Sequence, residues 1–327
     1  MGDHLYTRNI VSILLLPLSA LYWCLYTLHK LFYRVGILEV RRVDVPVIVI
    51  GNITVGGTGK TPLVIWVSNF LRSHGYHPGI VSRGYKGKSS NPGRVSPESD
   101  PGIVGDEPAL LAGRTGVPVY TGARRVDAAK QLLSENRCDV LISDDGLQHY
   151  SLHRDIEVAV IDGWRRYGNE FFLPAGPLRE SKKRLTSVDW VLCRGGEARP
   201  GEINYDYEIT GIRDLKSQEL HDLDHLAGKK VHAIAGLGNP EQFFKSLEAL
   251  GCNVERHPFP DHYGFTEADL DFSDNVPIIM TEKDAVKCRQ LADKIEGDIM
   301  YTVIDAKLPD TFGAELLDRL SEANRHG

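Results

Sequence analysis

The sequence predicts an α/β fold: a mostly parallel sheet flanked by helices, a second smaller α/β unit, and a separate N-terminal helix. Three observations predict it. After residue 45, short apolar strands alternate with helical patterns, as in a parallel sheet covered by helices. The alternation resumes near Trp190 with a second set of strands and helices. Ahead of both, the stretch from Ile10 to Leu28 carries no formally charged residue, while Arg8 precedes it and Lys30, Arg34, Arg41 and Arg42 follow.

In chain order, strands are expected at residues 45–50, 79–82, 117–120, 139–143 and 157–161, with helices at 62–74, 107–112 and 124–135. The second set has strands at 190–193, 205–210, 231–235, 276–280 and 300–304, with helices near 240–250, 285–292 and 311–320. Loops at 86–105 and 168–183 are long for a compact domain, which marks them as substrate loops. The expected organisation is an N-terminal helix over 1–40, a nucleotide-binding core over 41–155 and a second unit over 156–327, in keeping with 327 residues at roughly 150 per unit. The formal net charge of −6 gives no reason to expect nucleic acid as a partner. Five scattered cysteines, never in C-x-x-C spacing, argue against a disulfide framework or a zinc site and favour a reducing compartment.

The N-terminal stretch lacks the small-residue cleavage site of a signal peptide. Its length is borderline for a span, which needs about 20 apolar residues. On a helix, Ser12, Ser19, Tyr22, Tyr26, His29 and Tyr33 share one polar stripe, and Leu14, Leu21, Leu25, Leu28 and Phe32 face away. Pro17 kinks it. The pattern suits a helix lying in a membrane interface with basic flanks at the headgroups; a span and a buried core helix are the alternatives that periodicity leaves open.

The most informative segment is Thr54, Val55, Gly56, Gly57, Thr58, Gly59, Lys60 and Thr61, set between a β-branched run and a helical pattern. Strand, glycine-rich loop and helix make a phosphate-binding loop, so the core is P-loop NTPase-like. Backbone N–H groups wrap a polyphosphate at the positive end of the helix, Lys60 reaches the β- and γ-phosphates, and the Thr61 hydroxyl ligates Mg²⁺. Thr54 stands where the common pattern has glycine. Asp144 and Asp145 end an apolar strand, where P-loop enzymes hold Mg²⁺ or its waters; an Asp-Gly turn is the plain alternative. Gln148 and His149 follow and can face the same cleft. Asp106 and Glu107 open a helix, as caps or as a base and a metal ligand. Asp261-His262 lies in a loop, where an Asp can fix the tautomer of a basic His, although a surface histidine is the commoner outcome. Arg83, Arg124, Arg125 and Arg179, the last followed by Glu180, recur in loops and can neutralise phosphate, or be solvated surface arginines. Thr281-Glu282-Lys283-Asp284 lacks the spacing of a guanine-reading loop and reads as a strand end with a helix cap.

Together, Gly51-Asn52 before the Gly56–Pro62 loop, Ser82-Arg83-Gly84-Tyr85, Gly105-Asp106-Glu107-Pro108, Asp144-Asp145-Gly146-Leu147-Gln148-His149, the run from Leu173 to Glu180, Asp261-His262 and Thr281–Asp284, in this order, closely resemble the tetraacyldisaccharide 4′-kinases of lipid A biosynthesis, over nearly the whole chain. The resemblance implies Mg²⁺-dependent transfer of the ATP γ-phosphate to the 4′-hydroxyl of a tetraacylated glucosamine disaccharide 1-phosphate, giving the 4′-phosphorylated lipid A precursor (lipid IVA). It implies residence at the cytoplasmic face of a Gram-negative inner membrane, with an acylated disaccharide lipid and the membrane surface as partners and no obligate protein partner. It implies that Asp106 orients or deprotonates the sugar hydroxyl with support from His262, that Lys60 stabilises transferred charge, and that Thr61, Glu107 and one of Asp144 and Asp145 form the Mg²⁺ shell. The alternative is a membrane-associated P-loop ATPase switch acting on protein partners, whose loop carries a lysine before the paired glycines; Val55 holds that position here.

Overall fold

A computed structural model describes residues 3–84 and 91–326; Tyr85 and the start of the expected substrate loop lie outside the described residues. Two helices open the chain, α1 (Ile10–Leu14) and α2 (Leu16–Arg34). The first half continues β1 (Val47–Gly51), α3 (Lys60–Ser73), β2 (Pro78–Ser82), β3 (Gly93–Val95), α4 (Pro101–Val104), α5 (Asp106–Thr115), β4 (Val119–Thr121), α6 (Arg125–Glu135), β5 (Val140–Asp144), β6 (Ile156–Asp162) and β7 (Trp190–Arg194). The second half has β8 (Glu202–Asp214), β9 (Leu220–His221), β10 (Lys230–Ala235), α7 (Glu241–Ala249), β11 (Asn253–Pro258), β12 (Ile278–Thr281), α8 (Glu282–Cys288), β13 (Ile299–Lys307) and α9 (Asp310–His326).

Among the described residues the strands form one sheet in the order β11-β10-β12-β13-β8-β7-β6-β1-β5-β2-β4-β3, with β9 paired to β8. From β7 to β4 every neighbour is parallel, so the carboxyl ends of β1, β2, β5, β6 and β7 open on one edge. Loops at that edge are where open α/β sheets bind ligands. Strands β1, β2, β5 and β6 are buried along their whole length, which is why they read as continuous apolar runs rather than as alternation. β8 joins the halves: its first residues pair parallel with β7 and the rest pair antiparallel with β13. The polar 205–210 strand of the sequence reading is the middle of this longer element. β3 and β11 escape the sequence reading because they are short or exposed edge strands without apolar runs.

The N-terminal helix breaks at Leu15, and Pro17 sits in the first turn of α2, where its missing N–H costs nothing. The polar stripe faces protein. Ser19 Oγ donates to the Phe172 carbonyl, Tyr22 Oη donates to the Arg179 carbonyl at 3.0 Å, and Tyr26 Oη donates to a Glu180 carboxylate oxygen at 2.5 Å. Glu180 is fully buried and also accepts from Tyr150 at 2.8 Å and from Gln148 at 2.6 Å. The opposite face is bare: Leu18, Leu21 and Leu25 are 53%, 55% and 59% exposed. A buried core helix is therefore excluded. No helix among the described residues is long and apolar enough to cross a membrane.

Candidate active site

The loop from Thr54 to Thr61 leaves β1 and enters α3 through Gly59, whose φ of 95° lies in the left-handed region. A Cβ there would stand 1.6 Å from Tyr207 Oη, so glycine is required twice over, by conformation and by space. Tyr205 Oη donates to the Gly59 carbonyl at 3.2 Å. Asn52 Nδ2 donates to Thr58 Oγ1 at 3.0 Å beneath the loop. The run ending in Arg179-Glu180 is stitched to the loop's approach: Val55 N donates to the Pro177 carbonyl and Arg179 N to the Ile53 carbonyl, each at 2.8 Å. This antiparallel bridge gives that motif its position.

Lys60 Nζ, in the first turn of α3, lies 3.3 Å from Asp145 Oδ1. Arg179 Nη1 donates to the same carboxylate at 2.9 Å. Burial opposes the charge on Asp145, but the two cations outweigh it and hold the carboxyl well below the usual range. Asp144 is the opposite case. Its burial, then the nearby charges of Glu107 and Asp145, push its pKa up to about 7. Ser82 Oγ donates to Asp144 Oδ2 at 2.9 Å, while Oδ1 is buried with no hydrogen-bond partner. A buried carboxylate with an orphan oxygen beside a P-loop suits a divalent cation, and hard oxygen donors suit Mg²⁺. Asp144 thus fits the metal role better than Asp145, which Lys60 and Arg179 already occupy.

Asp106 is the first residue of α5, with Gly105 (φ 95°) as its N-cap. His262, in the loop after β11, meets it from the other half of the chain: Nδ1 is 2.9 Å from Asp106 Oδ2, whereas Nε2 is 3.8 Å from the adjacent Asp261. Asp106, rather than the neighbour in sequence, is therefore the partner of His262. Lys283 Nζ lies 3.4 Å from His262 Nε2, 3.2 Å from Asp261 and 4.0 Å from Glu107. An ammonium donating to Nε2 assigns the imidazole proton to Nδ1, aimed at Asp106. Burial would raise the Asp106 pKa, but the His262 hydrogen bond and the charges of Lys287 and Lys283 outweigh it, so the carboxyl titrates below its ordinary range. Burial likewise opposes the charge on Lys283, and Glu107, Asp261 and Asp106 restore it.

The remaining expected residues divide. Arg125 is buried under the Asp144 carbonyl, with Nη2 at 3.4 Å; burial first, opposed by Asp144 and Asp145, brings its pKa down to about 10. His149 accepts from the Arg125 backbone N–H at 3.1 Å; burial and then the neighbouring arginines lower its pKa to about 4, so it is a neutral cap of α6. Gln148 holds Glu180 and the Asn52 carbonyl. Arg83 is exposed, and Arg124 is exposed and paired with Asp127 at 3.4 Å. Lys283 beside His262 is missed in sequence: the helix opens at Glu282 rather than Ala285 and is capped by Thr281 rather than Asp284, with Thr281 Oγ1 accepting from Asp284 N at 3.2 Å, and a cap says nothing about where the neighbouring lysine reaches. A lysine just beyond a strand's carboxyl end, next to two buried acids, is the available signal.

Fold and site together define a P-loop phosphotransferase. A family described as tetraacyldisaccharide-1-P 4′-kinase (LpxK) matches residues 11–321. The chain belongs to that family. A tetraacyldisaccharide 4′-kinase from Nitrosococcus oceani is 49% identical over 95% of this chain and 91% of its own length, and one from Shewanella amazonensis is 44% identical over 98% and 97%. The crystal structure of Aquifex aeolicus LpxK in complex with ATP superposes with a TM-score of 0.82 at 29% identity, covering 96% of this chain and 99% of that one.

The raised Asp144 pKa carries a sign. An unfolded Asp titrates near 4, so the folded state binds the extra proton, and the stability this contributes is lost as pH rises from about 4 through about 7. Metal-free Asp144→Asn should match the parent chain near pH 4 and exceed it in thermal stability near pH 8, by on the order of 1–4 kcal/mol. Mg²⁺ should stabilise the parent and not the variant. Equal pH dependence of the two melting curves contradicts this reading of Asp144.

Proposed function

We propose that the chain is an ATP-dependent kinase that phosphorylates the 4′-hydroxyl of a tetraacylated glucosamine disaccharide 1-phosphate, working at a membrane surface. One observation carries the assignment of roles: His262 holds the Asp106 carboxylate at 2.9 Å, next to Glu107, which like Lys60 acts electrostatically on Asp144. The backbone of the loop and the N-terminus of α3 bind the triphosphate, and Lys60 follows the transferred charge. Asp144, Thr61 and Glu107 would hold Mg²⁺, which would supply neutralisation of charge on the phosphates. Asp106 accepts or orients the proton of the acceptor hydroxyl. His262 fixes the Asp106 carboxylate through Nδ1, and Lys283 holds the other face of the imidazole at Nε2. Arg125 holds the Asp144 carbonyl at the end of β5, and Arg179 holds the Asp145 carboxylate just beyond it.

For localisation we read the helix α2 as the docking element. Its polar groups are consumed by the protein, and its leucines have nothing to cover them except lipid, which also holds the acyl chains of the acceptor. The cytoplasmic face of the inner membrane supplies both ATP and that acceptor. The division of the chain belongs to this reading too: a P-loop unit over 41–155 presents the nucleotide and a second unit over 156–327 brings His262 and Lys283, the two joined in one sheet where β1 pairs with β6.

With γ-labelled ATP, Mg²⁺ and the detergent-dispersed acceptor, label should move into the lipid; ATP-binding protein that leaves the lipid unlabelled sinks the assignment, and turnover of ATP driven by a protein partner instead would favour the switch. Replacing Leu18, Leu21 and Leu25 together by Gln should cut sedimentation with anionic vesicles at least tenfold while ATP binding persists. Undiminished sedimentation would place lipid contact elsewhere.

A further inference from the structure

Outside the P-loop site, at the other end of the sheet, His232 on β10 and Glu255 and His257 on the edge strand β11 converge. The parallel register sets His232 beside Glu255, and His257 one pleat further along the same face. His232 Nδ1 lies 3.0 Å from His257 Nε2 and 3.7 Å from Glu255 Oε2, and His257 Nε2 lies 4.0 Å from Glu255 Oε1. The three ligand atoms fall within 4.8 Å of one another.

Two neighbours orient this cluster. Asp274 Oδ1 lies 3.1 Å from His232 Nε2, so the imidazole donates there and presents the Nδ1 lone pair to His257 and Glu255. Carboxylate, imidazole, then metal is the arrangement by which proteins fix the tautomer of a metal-binding histidine. Phe272 stacks on the buried His232 ring at 4.0 Å and an interplanar angle of 17°, which sets its plane. A tetrahedral ion with bonds of about 2.1 Å spaces its ligand atoms about 3.4 Å apart; the two nitrogens stand 3.0 Å apart, and Glu255 Oε1 stands 4.0 Å from His257 Nε2.

We propose that His232 Nδ1, His257 Nε2 and a Glu255 carboxylate oxygen form a site for a divalent transition-metal ion of the zinc class, with the fourth position open to solvent at the sheet edge. In the metal-free protein His257 donates its Nε2 proton to His232. On binding, that proton sits on His257 Nδ1 and both imidazoles act as neutral ligands. Lys230 lies 2.9 Å from Glu255 Oε2 and leaves Oε1 to the metal. Two imidazole nitrogens suit a borderline ion of the zinc class better than Mg²⁺, which separates this site from Asp144. β11 runs directly into the loop carrying His262, so an ion here would pin the edge strand that presents that residue.

The full chain, stripped with chelator, is titrated with Zn²⁺ by calorimetry and with Co²⁺ by visible absorption, both in excess Mg²⁺. One Zn²⁺ per chain should bind, and Co²⁺ should give the bands of a nitrogen and oxygen site. His257→Ala and the surface change Glu255→Gln should each weaken Zn²⁺ binding at least tenfold with the metal-free melting temperature nearly unchanged. Asp274→Asn should weaken it about 10- to 100-fold at the same stoichiometry, and Asp144→Asn should leave it intact. Absence of saturable Zn²⁺ binding, or affinity in both His257→Ala and Glu255→Gln within twofold of the parent, overturns the proposal.

Discussion

The structure hangs on the carboxylate of Asp145. It stands at a positive φ of 49° just past the end of β5, and from there it holds Lys60 of the phosphate loop and Arg179 of the segment bridged to that loop. Buried charge is expensive unless paired, and here a single anion between two cations fixes a strand end, a loop and a long connection relative to one another. The effect continues outward. Glu180, next to Arg179, is buried under Tyr26 and Tyr150, so the same short segment that touches the phosphate site also fastens the N-terminal helix. The N-terminal helix and the phosphate loop are thus fastened through the same short segment, Arg179-Glu180.

Asp144 and Asp145 show how environment divides the work of identical neighbours. Asp145 is neutralised by cations and stays ionised; Asp144, with a hydroxyl on one oxygen and nothing on the other, keeps a buried, proton-prone carboxyl that a cation would satisfy. Asp106 makes a third case, charged through His262, Lys283 and Lys287. Each carboxylate has a separate electrostatic setting, which is what separate roles in phosphoryl transfer require.

Much of this was legible in the chain. The apolar runs at 45–50, 139–143 and 157–161 lie where parallel strands do, because strands buried on both faces have no polar residues to blur the signal. Gly59 of the phosphate loop marks a position where a Cβ has no room. The polar stripe of the first helix was also legible, but its meaning was not: a hydroxyl stripe looks solvent-facing in sequence, whereas Ser19, Tyr22 and Tyr26 are spent on carbonyls and a buried glutamate 150 or so residues away. The same long-range closure hides Lys283, whose role follows from a loop that arrives from β11. Pairing of Asp106 with His262 across 156 positions had no local signal at all and rested on resemblance.

In the proposed mechanism Asp106 acts on the acceptor hydroxyl and not on the nucleotide. Steady-state kinetics of Asp106→Asn with varied ATP and with varied lipid acceptor test it most directly. The account predicts a fall in kcat of roughly two orders of magnitude or more, the range of a lost general base, with KM for ATP within about threefold of the parent enzyme. An unchanged kcat, or a loss confined to KM for ATP, would contradict it.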